Sequence, residues 1–182
     1  MALGTWNIDP SHSAIAFSVR HMVVSKTRGR FNKWSGQLRF DPANPSASSV
    51  EVDIDPASLD TGDTQRDAHL RSADFFDVEK YPTASFRSTK VELAGEGRYR
   101  VTGNLTVHGI TQPVLLDVTY EGSGKDPWGG ERAGFSATTT IDRKHFGLEW
   151  NKALETGGLL VGEKVELNLE IEAVKQAAQQ AA

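Results

Sequence analysis

Thr61-Gly-Asp-Thr-Gln-Arg-Asp-Ala-His-Leu-Arg-Ser-Ala-Asp-Phe-Phe-Asp77 carries the clearest helix signal in a chain that otherwise alternates like strand after strand. Thr64 followed three residues on by Asp67 makes a capping-box-like start, Asp67 and Arg71 have the spacing of an i,i+4 ion pair, and Ala68 and Leu70 favour helix. One short helix among strands reads as a lid across one end of a β-barrel. It spans residues 64 to 76, with Phe75 and Phe76 aimed inward or at a cavity mouth.

Outward from that stretch, alternation with period two recurs, the mark of strands with one buried face. Ile15, Phe17, Val19 and His21 share a face; so do Trp34, Gly36, Leu38 and Phe40, and then Val50, Val52 and Ile54. Later sets are Ala84 and Phe86; Val101, Leu105 and Val107; Leu116, Val118 and Tyr120; Phe135, Ala137, Thr139 and Ile141; and Val165, Leu167, Leu169 and Ile171. Turn signals at Asp41-Pro42 to Pro45, Gly95 to Gly97, Gly109 to Pro113, Gly122 to Gly130 and Gly157-Gly158 separate the runs. Short links imply antiparallel neighbours, so the prediction is an all-β, eight-stranded antiparallel barrel capped by one short helical segment, with a sandwich as runner-up. Residues 1–174 form one domain, and 175–182 a short polar tail that is frayed or disordered.

With 182 residues and 38% hydrophobic content, the chain suits one well-filled domain. It has no cysteine, which removes disulfides and thiolate chemistry and fits a reducing compartment. The strand at Trp6–Asp9 leaves no room before it for a signal peptide, so a cytoplasmic protein is expected. No apolar run approaches the roughly 20 residues of a membrane-spanning helix. The net charge is −4, yet residues 20 to 39 hold Arg20, Lys26, Arg28, Arg30, Lys33 and Arg39 without one acid. Such a patch attracts a small anion, whereas the acidic remainder repels nucleic acid.

The chemistry-bearing residues form no catalytic or metal motif. His12, His21, His69, His108 and His145 never fall at metal-ligand spacing, no Gly-x-Ser-x-Gly elbow occurs, and no glycine-rich loop has phosphate-cradling spacing. No metal or cofactor is expected. His21 lies on the apolar Phe17 and Val19 face, where it is either a satisfied core histidine or a ligand contact. Arg66 and His69 share a helical face and either greet a polar headgroup or serve the surface and the cap. His108 is read as a turn residue. Arg143, Lys144 and His145 precede Phe146-Gly-Leu148, a pattern suited to a cationic cavity rim above a greasy interior, and hence to an amphiphile. The candidate lining is therefore Phe17, Val19, His21, Trp34, Leu38, Phe40, Val52, Ile54, Phe76, Phe86, Leu105, Val107, Ile141, Phe146 and Trp150, with Arg66, His69 and Lys144 toward the headgroup. For the aromatics among them, core packing stands level with ligand contact.

Several short motifs in one order carry a resemblance. They are Asp9-Pro-Ser-His12, Phe17-Ser-Val-Arg-His21, Gly29-Arg-Phe31, Ser35-Gly36, Thr61-Gly62, Arg66-Asp-Ala-His-Leu70, Asp74-Phe-Phe-Asp77, Tyr81-Pro82, Phe86-Arg-Ser88, Gly103-Asn-Leu-Thr-Val-His-Gly109 and Phe146-Gly147. In these the chain closely resembles the bacterial YceI-like family of lipocalin-like proteins associated with polyisoprenoid binding. The resemblance implies a barrel with an apolar tunnel that takes a long-chain isoprenoid, as phosphate or quinone, or another amphiphilic lipid. Many members carry an export signal, and this sequence departs from them there. The rival from another class is an enzyme acting on a lipid-like substrate with His21 as general base. A third reading is an interaction protein with a side-chain-filled barrel, and a homodimer is left open.

Overall fold

Inward apolar side chains at every second position draw the chain into a curled antiparallel sheet, and the curl closes on itself. The computed structural model describes residues 3–177. Eleven strands occur among them: β1 (Gly4–Ile8), β2 (Ala14–His21), β3 (Ser25–Phe31), β4 (Trp34–Phe40), β5 (Ser49–Ile54), β6 (Leu59–Asp60), β7 (Ala84–Gly95), β8 (Arg98–Val107), β9 (Ile110–Lys125), β10 (Glu131–Asp142) and β11 (Val161–Lys175). The ring runs β1-β4-β5-β7-β8-β9-β10-β11 and returns to β1, which is the expected eight-stranded barrel. The three extra strands continue members of the ring past a break. β11 pairs with β1 through Ala173–Lys175 and with β2 through Val161–Glu170, so β1 and β2 are two halves of one bent wall. β4 pairs with β1 and β3 with β2, while β6 carries β5 onward to meet β3 at Arg30 and Phe31.

Two of the breaks fall at Asp-Pro. A proline cannot donate to the ladder, and the preceding carboxylate finds a donor in the turn. Asp9 Oδ1 accepts the Ser11 backbone N–H at 2.9 Å, and Asp55 Oδ1 accepts that of Ala57 at the same distance. The first break is also braced by charge, because Arg132 on β10 reaches Asp9 at 3.1 Å, Glu172 at 2.5 Å and Asp126 at 3.1 Å. The Ser11 hydroxyl, then His12 and Arg132, hold the Asp9 carboxyl well below the usual range, and the Gly130 N–H, then Arg132, does the same for Asp126.

The helix α1 (Thr64–Arg71) forms where expected, with different local bonds. Its cap is Asp63, which accepts from Gln65 N and Arg66 N. Asp67 is buried and turns back to Thr61, taking its N–H at 3.0 Å and its hydroxyl at 2.5 Å. Arg71 donates to the Ala57 and Leu59 carbonyls, so the Asp67–Arg71 pair does not form. Both side chains are drawn off by groups of the segment that precedes the helix. The segment from Ser72 to Phe76 leaves the helix as turns.

At one end Phe40 packs on Tyr99, Tyr120 and Phe135 with ring centroids 5.1 to 5.9 Å apart, making an aromatic floor. Close approach there is permitted by Gly103, where an added Cβ would lie 2.4 Å from the Phe86 ring and 2.7 Å from the Arg87 carbonyl. At the other end β3 has no strand beside residues 25–29 on its side away from β2; there Phe76 packs edge-on to Phe31 at 5.9 Å, and α1 with Phe75 and Phe76 closes the same chamber that Thr27 and Phe31 border. Lys175 pairs with Trp6, and Gln176 donates to the Thr5 carbonyl; the rest of the polar tail from 178 on lies outside the described residues.

The β2–β3 turn holds Met22 at φ 51° and Val23 at φ 64°. Left-handed backbone suits Asn-Gly and costs a bulky or β-branched residue about 1–2 kcal/mol. Replacing Met22 and Val23 by Asn and Gly is expected to raise unfolding free energy by roughly 1–2 kcal/mol in a urea titration. In acid, the depressed Asp9 and Asp126 contribute stability that is complete above the ordinary carboxylate range and lost as pH falls through it. Thermal melts should therefore drop from about pH 4 downward, and Arg132→Met should lower the neutral-pH midpoint and flatten that acid limb.

Candidate functional site

Two chambers abut inside the barrel, both walled by the inward faces of the alternating strands. The deeper, of about 170 Å³, is bordered by Leu38 and Phe40 of β4, Val52 of β5 and Phe86 of β7, above the aromatic floor. Tyr99 also borders it, and burial, then the neighbouring Tyr120, pushes its phenol pKa up, so the wall there stays neutral. The upper chamber, of about 440 Å³, is in the size range of small-molecule pockets. Phe17, Val19 and His21 of β2, Arg66 and His69 of α1, Phe76, Val107 of β8, Ile141 of β10, Phe146 and Trp150 all border it. Ile54 and Leu105 border both chambers, as do Ile15 and Leu167, and these four make the waist.

Two of the residues predicted for the lining border neither chamber. Trp34 opens β4 directly beside the break after β3 and packs against the apolar cluster instead. Lys144 faces out and pairs with Glu163 at 2.6 Å, because the β10–β11 register offers it a carboxylate on the outer face. The chambers also recruit residues left out of the prediction. Ile15 and Leu167 had the right alternation, and Phe75 borders the upper chamber as the reading of Phe75 and Phe76 at a cavity mouth expected, whereas Phe31 was not announced by periodicity within β3.

The deeper chamber has Tyr99, Arg39, Ser48 and Ser49 on its border, while histidine and most of the cationic groups gather at the upper end. Exposed Arg20, Gln65 and Arg66 border the upper chamber and mark its mouth, between the start of α1 and the tip of the β2–β3 hairpin. Arg66 is tied to Thr61 by bonds of 2.8 and 2.7 Å, and His69 to Asp74 at 2.8 Å, its ring edge-on to Trp150 at 4.6 Å. Each thus serves the lid while bordering the cavity. His21 is half-buried and, among the described residues, its ring makes no hydrogen bond. His108 has φ 55° in its turn and its Nδ1 lies 3.2 Å from the Phe146 carbonyl, joining that turn to the segment under the mouth.

Arg143, expected at the rim, is buried, only 3% exposed. It donates to the carbonyls of Gly162 at 2.8 Å, Leu148 at 2.6 Å, Trp150 at 2.9 Å and Val161 at 3.3 Å. Burial holds its pKa below the ordinary value, while Glu163 and Asp142 pull the other way. Its guanidinium is the donor that folds the loop after β10 back against β11, and so shapes one wall of the mouth. No local spacing reveals this, because all four acceptors are backbone carbonyls, two on the loop and two at the start of β11, which converge only once the loop has folded back.

Asp9, His12 and Glu172 bring ligand atoms within 4.8 Å of one another, spacing that a metal ion accepts. The Arg132 guanidinium already lies against both carboxylates, so their charge is spent within the protein. No helix among the described residues is long and apolar enough to cross a membrane.

A family model for the YceI-like domain matches residues 6–173. A UPF0312 protein of Vibrio cholerae is 49% identical over 139 residues, covering 76% of this chain and 74% of that relative. Among solved structures, Burkholderia cenocepacia BcnA superposes with a TM-score of 0.81 at 30% identity, covering 91% of this chain and 98% of that one. A polyisoprenoid-binding domain from Saccharophagus degradans gives a TM-score of 0.68 over 96% of this chain and 100% of that one; at 17% identity this is a likeness of fold.

Replacing Arg143 by Met leaves several carbonyls without their donor and is expected to cost at least about 3 kcal/mol of stability. Arg143→Lys should recover little, since an ammonium cannot fork to acceptors on both segments. Denaturant unfolding of the two variants checks both statements.

Proposed function

This chain belongs to the YceI-like family, and from that membership and its own cavity we propose that it binds and carries one long-chain apolar lipid, a polyisoprenoid foremost, inside the barrel. The observation that carries the reading is the pair of abutting chambers, lined mostly by aliphatic and aromatic side chains and joined at an apolar waist, with Arg20, Gln65, Arg66 and His69 bordering the upper one. Each isoprene unit brings five carbons, worth roughly 3–4 kcal/mol of gross transfer energy. Association and ordering subtract about 4–15 kcal/mol, so several units are needed and short chains bind weakly. A chain that passes the waist and fills both chambers gains most.

The head stays at the mouth, where Arg20, Gln65 and Arg66 border both cavity and solvent. Burying a phosphate among the deeper walls, which are mostly aliphatic and aromatic, would cost it its hydration. The reading is noncatalytic.

Lipid extraction from purified protein followed by mass spectrometry is expected to recover a prenyl or comparable long-chain molecule in near-stoichiometric amount. Ile54→Trp at the waist and Val107→Trp in the upper chamber should reduce uptake at least tenfold while circular dichroism stays barrel-like. Undiminished loading of both variants would contradict the tunnel assignment, and a mass change in the guest that His21→Ala abolishes would replace carriage by catalysis.

A further inference from the structure

We propose that the tip of the β2–β3 hairpin docks the tunnel mouth on an anionic phospholipid bilayer, so that a guest moves between membrane and barrel without crossing water. The membrane contact stands on the hairpin itself, and its purpose rests on the lipid-carrier reading. Met22, Val23 and Val24 are 42%, 73% and 82% exposed, a run of three consecutive exposed apolar side chains at the hairpin tip. Leu159 is likewise exposed beside them, on the strand-side loop whose Leu160 carbonyl accepts the Met22 N–H at 2.9 Å. Two of these residues occupy left-handed backbone, where Asn-Gly would be both more stable and more soluble. Retaining methionine and valine there is accounted for by a surface they enter.

Charge selects that surface. No Asp or Glu occurs between Asp9 and Asp41, and the register pairs Arg20 with Lys26, Ser18 with Arg28 and Ala16 with Arg30 across the hairpin. Lys26, Arg28 and Arg30 therefore share the outer face behind the apolar tip, opposite the face of Phe17, Val19 and His21 that lines the cavity, and Arg20, paired with Lys26, lies at the edge of the mouth between the two. Lys26 is paired with Glu166 at 3.1 Å; Arg20, Arg28 and Arg30 form no ion pair among the described residues. An apolar tip with a basic collar is the pattern of peripheral attachment to anionic lipid. Trp128, 85% exposed in the turn at the floor end, sits beside Asp126 and Glu131 and lacks such a collar.

Arg20 and His21 border the upper chamber and directly precede Met22, so a tip inserted in the interface sets the mouth on the bilayer. The test is flotation of the full chain with phosphatidylcholine vesicles made with and without phosphatidylglycerol. Wild type should float with the anionic vesicles, less so as salt rises. Val23→Asp with Val24→Asp should weaken this at least about tenfold, and Arg28→Glu with Arg30→Glu by roughly fivefold for each reversal. Val24→Trp should show blue-shifted emission that brominated lipid quenches. The bound guest, read by mass spectrometry, should be unchanged in all of these. No flotation of wild type, equal flotation of the double aspartate variant, or an effect of that variant on sedimentation mass alone, which indicates a second copy on the patch, overturns the proposal. Flotation by protein that never yields a guest keeps the docking surface and removes the carrier reading.

Discussion

Closure of the ring through β11 governs the rest of this structure. One long strand must serve two short ones, pairing β1 at its C-terminal end and β2 along the remainder, and this is possible only because the chain bends at Asp9-Pro10. The same bend recurs at Asp55-Pro56, and β3 passes into β4 through a third break between them. Around the floor the ladder is complete and the interior is filled by Trp6, Phe40, Tyr99 and Phe135. Beyond the bends the edge of β3 away from β2 has no strand past Arg30, and α1 with Phe75 and Phe76 closes the chamber on that side. An eight-stranded barrel has room either for side chains or for one ligand; here one end takes the first solution and the other the second.

The distribution of polar groups follows from that division. A donor deep in the barrel would need an acceptor on an apolar wall, so the cations and imidazoles lie where turns and loops expose backbone carbonyls. Arg143 shows how far this goes: a buried guanidinium is kept without any carboxylate partner because four carbonyls converge on it. Arg66 and His69 likewise spend part of their hydrogen-bonding capacity on the lid. The mouth is thus a structural assembly first, and its electrostatic character comes with it.

Much of the barrel was legible from period two. Phe17, Val19 and His21 face inward together, as do Leu38 and Phe40, Val52 and Ile54, and Leu105 and Val107, because successive residues of a strand must point to opposite sides. The Asp-Pro pairs at 9–10 and 55–56, absent from the turn signals taken from the sequence, account for two of the three breaks by which eleven strands build eight walls. Trp34, next to a break, borders neither chamber although it shares the phase of Leu38.

The sequence by itself determined the class of fold, the inward faces and the place of the one helix, since these rest on local periodicity and on residues a few positions apart. Tertiary structure decided what the charged residues do. Asp67 answers Thr61, Arg71 the Ala57 and Leu59 carbonyls, Lys144 takes Glu163, and Arg143 closes a loop, each in place of the role its neighbours in sequence suggested. The reason is physical: long polar side chains go to the strongest unsatisfied partner within reach, and which backbone carbonyls lie within reach is set only when distant strands have closed the barrel.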